Sequence, residues 1–391
     1  MKRAAPAAAQ GRDSSLDLLR GFCIVSMATA HVAVGSFFWR ATHVALWVDG
    51  LMGFVVLSGL VLGIVQRKQA ARSGVRSGPG RVLRRARLVY VAHVALCAAV
   101  FAVVALDPSR APRFASVDSV GGPLQAVLAT VTLQINPPNA SILSMYAVLM
   151  LLAAVAVGLL ARGQVWLLVA GMVCVYVIGQ TSSAWTTFVR QPGEPGLMNW
   201  ATWQAMFLAA LILGWYWDSE KVRAAFASRS ARWTAASLLV FSVGLAHLTR
   251  LGRLGDGVIR RTIDWWFSDG TLGPGVIVLS GVALLVLRPV ARWIAHTVPI
   301  LAAVLERIGR RSLDCYIILS LAVIALPSIV VYDPGSASAN VVVLTALAAM
   351  WAWCRLRDEY PRVTLGAIEV REWRVARGTT APSLPVHGDG A

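Results

Sequence analysis

The chain has 391 residues, 57% of them hydrophobic and 14% charged, with a formal net charge of +17. Its mean hydropathy is +0.65, whereas a soluble domain carries about 25% charged residues, so a soluble globular fold is excluded. The apolar runs are continuous and do not alternate, which excludes an outer-membrane barrel.

Nearly uncharged runs of about 20 residues, the length that crosses a hydrocarbon core, recur from Leu16 to Trp353. They predict an all-α, polytopic transmembrane helical bundle of about ten spans. These lie near 16–38, 45–65, 86–106, 124–134 continuing through 141–161, 164–181, 199–217, 233–249, 270–288, 298–331 and 339–356. Residues 1–15 form an amino-terminal tail and 16–356 the membrane domain. Residues 357–391 form a second tail whose Pro/Gly-rich end is expected to be disordered. Asn136-Pro137-Pro138-Asn139 interrupts the fourth span, and the ninth is expected to hold an amphipathic piece before Arg310-Arg311. No apolar core with a cleavage site precedes the first span, which is therefore expected to be an anchor. No internal repeat of the transporter kind is visible.

The positive charge follows the topology, so it is not a nucleic-acid signal. Between Gln66 and Arg87 stand eight basic residues (Arg67, Lys68, Arg72, Arg76, Arg81, Arg84, Arg85, Arg87) and no acidic one. Lys2, Arg3, Arg12 and the segments 218–232 and 288–311 add to the same side, while the loops at 107–123, 182–198 and 332–338 are nearly neutral. Positive-inside bias then puts both termini and the even-numbered loops in the cytoplasm. Loop 250–269 runs against this pattern. It should be external, yet it carries Arg250, Arg253, Arg260 and Arg261 against Asp256, Asp264 and Asp269. The five cysteines (Cys23, Cys97, Cys174, Cys315, Cys354) fall in or beside apolar spans without paired spacing, and read as buried apolar residues.

Four constellations could carry chemistry. Arg20 and His31 are eleven residues apart, which leaves a rotation of only about 20° on a helix and a rise of about 16 Å. That spacing predicts one shared face, with Arg20 at a membrane surface and His31 at mid-depth. An ionisable group at that depth is a functional candidate, and a neutral imidazole can take a proton from an attacking hydroxyl. Asp17 lies three residues before Arg20 and can pair with it. In the second, Ser58, Gly59 and Gly63 have the spacing of close helix packing, and Ser58 has no adjacent base. The third is the basic run ending in Arg84, Arg85 and Arg87, which suits a phosphorylated ligand or anionic lipid headgroups; His93 beyond it is an alternative base. The fourth joins Asn139 to Tyr146 after the Pro-Pro break with Asn199, Trp203 and Gln204, a set that suits sugar hydroxyls and faces or an ordinary aromatic belt. There is no P-loop, dinucleotide fingerprint, zinc spacing or nucleophile elbow, and no metal is expected.

On these residues the chain resembles the OpgC family of membrane acyltransferases, related to the acyltransferase-3 superfamily. The carriers are Arg12-Asp13 with Leu16-Asp17-Leu18-Leu19-Arg20-Gly21 and His31, then Phe54 to Gly59 and Arg84 to His93. Met145-Tyr146, Asn199 with Trp203-Gln204, and Arg311-Ser312-Leu313 complete the set. The resemblance implies a bacterial inner-membrane enzyme that moves an acyl group, succinyl or acetyl, from cytoplasmic acyl-CoA to a periplasmic glycan hydroxyl such as that of an osmoregulated glucan. It further implies His31 as base, Arg20 as an orienting or donor-contacting group, Arg84, Arg85 and Arg87 on CoA phosphates, and His93, Tyr146, Asn199, Trp203 and Gln204 near substrate. The expected partners are acyl-CoA, the glycan and membrane lipids, with no permanently bound cofactor and no nucleic acid. A transporter or a non-catalytic scaffold are the alternatives. Two features depart from the family pattern: Ser141 and Ser144 stand where Asp and Pro are expected, and Met52 stands where an acidic residue is expected.

Overall fold

A computed structural model describes residues 13–45, 47–73, 78–110, 114–137, 140–182, 184–194, 196–253, 255, 257–329 and 332–360. Arg12, Arg76, Pro138, Asn139 and most of both tails lie outside them. The helices are α1 (Ser14–Val32), α2 (Phe37–Thr42), α3 (Gly50–Ser73), α4 (Gly78–Leu106), α5 (Pro123–Val131), α6 (Ser141–Ala161), α7 (Val165–Thr181) and α8 (Trp200–Trp215). They continue with α9 (Glu220–Ala227), α10 (Arg229–Arg250), α11 (Val258–Trp266), α12 (Pro274–Thr297), α13 (Pro299–Arg310), α14 (Ser312–Ile329) and α15 (Ala337–Glu359). Six of them (α3, α4, α6, α10, α12, α15) are long and apolar enough to cross a membrane, and α7, α8 and most of α14 are shorter apolar helices. With α1, these match the ten expected segments one for one.

Two segments differ from their expected bounds. The fourth is two helices: α5 ends at Val131, Leu133 takes a positive φ of 61°, and α6 begins only at Ser141. The ninth divides into α13 and α14 at Arg311. In α13 the buried residues Ala302, Leu305, Ile308 and Gly309 recur at helical spacing, as an amphipathic piece requires. Among the described residues the helices are joined by one short hairpin, β1 (Thr187–Val189) with β2 (Gly196–Asn199), paired antiparallel.

Close backbone approach holds the bundle together. A Cβ on Gly59 or Gly63 of α3 would overlap the carbonyl oxygens of Phe207 or Leu211 in α8, and one on Gly214 would overlap that of Leu60. This is the packing that the small-residue spacing predicts. The same device joins α1 to α13, where Gly21 meets the Leu305 carbonyl and Gly309 meets that of Asp17.

The side chains separate the bundle into two ends. At the basic end Asp13 caps α1, accepts from Ser15, and pairs with Arg288 at 2.7 Å and Arg292 at 3.6 Å. Arg311 meets Asp358 at 2.6 Å there, and Arg288 lies over Trp217. Burial alone would raise the Asp13 carboxyl, but hydrogen bonds from Ser15 and Arg288 and the charges of Arg288 and Arg292 hold it below its usual value. A depressed folded-state value stabilises the protein above the unfolded value of about 3.9 and is lost as pH falls through the folded one. Asp13→Asn is therefore expected to cost about 1–2 kcal/mol near neutral pH. In thermal denaturation series the difference from the parent protein should begin to shrink as pH falls below about 4, and vanish only below the depressed folded-state value.

Candidate active site

The other end of the bundle holds a cavity of about 350 Å³ lined by Met27, Ala30, His31, His43, Asp49, Gly50, Leu51, Ser141, Ile142, Arg190 and Met198. Each wall has a local origin. Ser36 caps the short α2, whose end carries His43. Asp49 accepts the Met52 N–H at 2.9 Å at the start of α3. The hairpin brings Arg190 and Met198, and the Arg190 carbonyl accepts the Asn136 N–H at 2.8 Å.

His31 occupies the last turn of α1, about 26 Å from its first residue, while Arg20 is already about 9 Å inside the helix. The expected depths are therefore shifted: His31 stands near the far end of the helix because α1 stops at Val32 and not near residue 38, and Arg20 lies further inside because α1 starts two residues earlier, at Ser14. Both side chains do turn towards α3. Among the described residues the His31 ring makes no hydrogen bond, and it lines the cavity, so its nitrogens are open to whatever fills it. His43 stacks on Trp39 and must donate its Nδ1–H to that residue's carbonyl oxygen at 3.1 Å. Asp269 lies within electrostatic reach of Asp49. Desolvation and that second carboxylate push Asp269 up to about 6, partly offset by Arg250.

Below the cavity, Arg20 is buried and donates from Nη2 to Ser312 Oγ at 2.5 Å, with its guanidinium 5.8 Å from the Phe54 ring. Phe54 meets Tyr146 edge to face, and Tyr146 meets Phe207 likewise. Asp17 is buried one turn before Arg20, where its carbonyl abuts Gly309. Arg84, Arg85 and Arg87 are exposed on the first turns of α4, towards the basic end.

Four expected substrate contacts sit elsewhere. His93 is fully enclosed between α4 and α6. Asn136 spends both amide hydrogens on the Leu133 and Val189 carbonyls, so its Oδ1 accepts from Ser144, and the Ser144 oxygen accepts from His93 Nδ1–H at 3.1 Å. Cys97 lies 3.5 Å from Nε2. Asn199 caps α8 and donates to the Gly179 carbonyl, while Gln204 donates to that of Met172. Trp203 is buried among apolar neighbours. None of these residues lines the cavity. Four of the five cysteines are buried and all are free, with Cys315 and Cys354 in sulfur contact at 3.4 Å.

The order and placement of these groups agree with a family match. The OpgC protein family model matches residues 12–362. The chain belongs to the OpgC family. That membership suggests a membrane acyltransferase-like role. No curated protein and no solved structure matches the chain. In this OpgC protein Ser141 faces the cavity where the family pattern has a carboxylate, and Met52 is buried. Asp49, three residues before Met52, puts a carboxylate on the same wall.

His43, Asp49 and Arg190 are the cavity groups that sequence motifs do not mark as site residues. His43 and Asp49 flank the start of the second expected span and Arg190 stands in the nearly neutral loop 182–198, so no common sequence signal marks them.

Proposed function

We propose that this protein transfers an acyl group, succinyl or acetyl, from acyl-CoA at its basic end to a glycan hydroxyl entering the cavity at the other. One observation carries this reading. Three helices each place one residue in the cavity wall and another in the Arg20 cluster: His31 and Arg20 on α1, Leu51 and Phe54 on α3, Ser141 and Tyr146 on α6. The same three helices therefore link the Arg20 cluster to the base in the cavity.

Positive-inside bias makes the basic end cytoplasmic, where CoA is found, and turns the cavity towards the periplasm of an inner membrane. Arg84, Arg85 and Arg87 hold the CoA phosphates, since guanidinium matches phosphate geometry bidentately. Arg20, fixed by Ser312, orients the donor along α1. At the cavity, neutral His31 takes the proton of the acceptor hydroxyl as its oxygen attacks the thioester carbonyl. The new ester C–O bond forms, the C–S bond breaks, and the departing thiolate receives a proton from the imidazolium. An osmoregulated periplasmic glucan fits the acceptor role as a soluble, hydroxyl-rich glycan.

Donor binding is tested by thermal unfolding in detergent with and without CoA. A ligand at about 100 times its Kd adds about 2.7 kcal/mol to the folded state. The parent protein should be stabilised by CoA. Replacing Arg84, Arg85 and Arg87 together with glutamine should weaken CoA binding by about tenfold or more, equivalent to at least about 1.4 kcal/mol. Equal CoA stabilisation in the parent and the triple variant would reject the arginine assignment.

A further inference from the structure

Loop 250–269, the one segment whose charge opposes the expected topology, contains α11. On a helical wheel Val258, Ile259, Thr262, Ile263, Trp265 and Trp266 fill one continuous arc. Arg260, Arg261 and Asp264 occupy the opposite side. No residue of α11 is buried: Val258 is 77% exposed, Ile259 68% and Trp265 51%. Such a face is not left to water.

The helix is also held in a definite pose. On its polar side Arg260 pairs with Asp264 at 2.9 Å and donates to the Thr249 carbonyl at the end of α10, at 2.8 Å. At its other end Phe267 stacks on Trp47 with ring centroids 3.9 Å apart, and Gly273 lets the chain turn back beneath the Trp265 and Trp266 carbonyls into α12. Both flanking helices, α10 and α12, are long and apolar enough to cross the membrane. The segment between them is therefore tethered at the bilayer surface.

We propose that α11 lies in the headgroup–acyl boundary of the bilayer, its Val258–Ile259–Trp265–Trp266 face buried in lipid. There it serves as a membrane-anchored rim of the cavity. Short helices with an apolar aromatic face and an arginine-bearing polar face adopt this position, and tryptophan favours the interface. Arg250, Arg253 and Arg261 complement anionic headgroups, which gives the charge of this loop a partner without reversing the topology. Through Phe267 on Trp47, two residues before the cavity-lining Asp49, the anchored helix sets the edge of the cavity.

The test uses the full chain in nanodiscs of phosphatidylcholine with phosphatidylglycerol, with exposed Cys174 replaced by serine. A fluorophore is attached at Ile259→Cys or at Arg261→Cys, and each protein is first checked to be monodisperse. Quenching by lipids with a shallow nitroxide should be several-fold stronger at 259 than at 261, and aqueous iodide should show the reverse order. Equal iodide quenching at both positions, with none from lipid, would overturn the proposal. Protection of position 259 from both quenchers would also overturn it, since protein and not lipid would then cover the face.

Discussion

Replacing His31 with alanine is expected to lower acyl transfer by about 10²–10⁴-fold, the usual contribution of a positioned base, while the bundle stays folded. Several observations place the loss in the chemistry and not in the fold. His31 has no hydrogen bond to lose among the described residues, and it stands in the last turn of α1 against an open cavity. Truncating it removes no core packing, so the melting temperature should hardly move. CoA stabilisation should persist as well, because the donor-binding arginines lie at the opposite end of the bundle. His43, on the same wall, provides the internal comparison. Its Nδ1–H is committed to the Trp39 carbonyl, so the ring is oriented but not free to turn. A His31→Ala protein that retains full transfer would move the base to another group.

Gly309→Ala is expected to be the most damaging glycine-to-alanine change among the described residues. The added Cβ would overlap the Asp17 carbonyl oxygen, which is backbone and cannot rotate away. Overpacking typically costs about 1–3 kcal/mol, and a clash with rigid backbone falls at or beyond the upper limit. The cost also reaches the site. Ser312, which holds Arg20, begins the helix that follows α13 directly. Parting α13 from α1 therefore loosens the Arg20–Ser312 hydrogen bond. Thermal unfolding in detergent should fall sharply for Gly309→Ala, and the reciprocal Gly21→Ala should behave alike because it meets the Leu305 carbonyl across the same contact. By contrast Gly281, with no atom within 4 Å of an added Cβ, should accept alanine without loss.

Much of this architecture is legible from hydropathy, because a helix in lipid must satisfy its own backbone and so announces itself as a long apolar run. The ten helices, the break before Ser141 and the amphipathic α13 all follow from that rule. Spacing on one helix is equally legible, as the common orientation of Arg20 and His31 illustrates. Depth is not, since it depends on where α1 starts and stops: Asp13 caps it two residues earlier than expected, and it stops at Val32, six residues short of the expected bound. Nor can sequence tell whether a polar side chain meets substrate or a carbonyl, because every residue supplies a carbonyl. Asn199 and Gln204 found backbone partners, and His93 found Ser144. The cavity residues come from two connections far apart in the chain, His43 and Asp49 from that between α2 and α3 and Arg190 from the hairpin, and only tertiary packing brings them together.

The central claim is that a donor on one side of the membrane acylates an acceptor on the other. Proteoliposomes carrying glucan inside and isotope-labelled acyl-CoA outside test it, with mass spectrometry of the enclosed glucan as the readout. The account predicts label on the trapped glucan with the parent protein and almost none with His31→Ala. Label that forms only when donor and glucan share one compartment would contradict it.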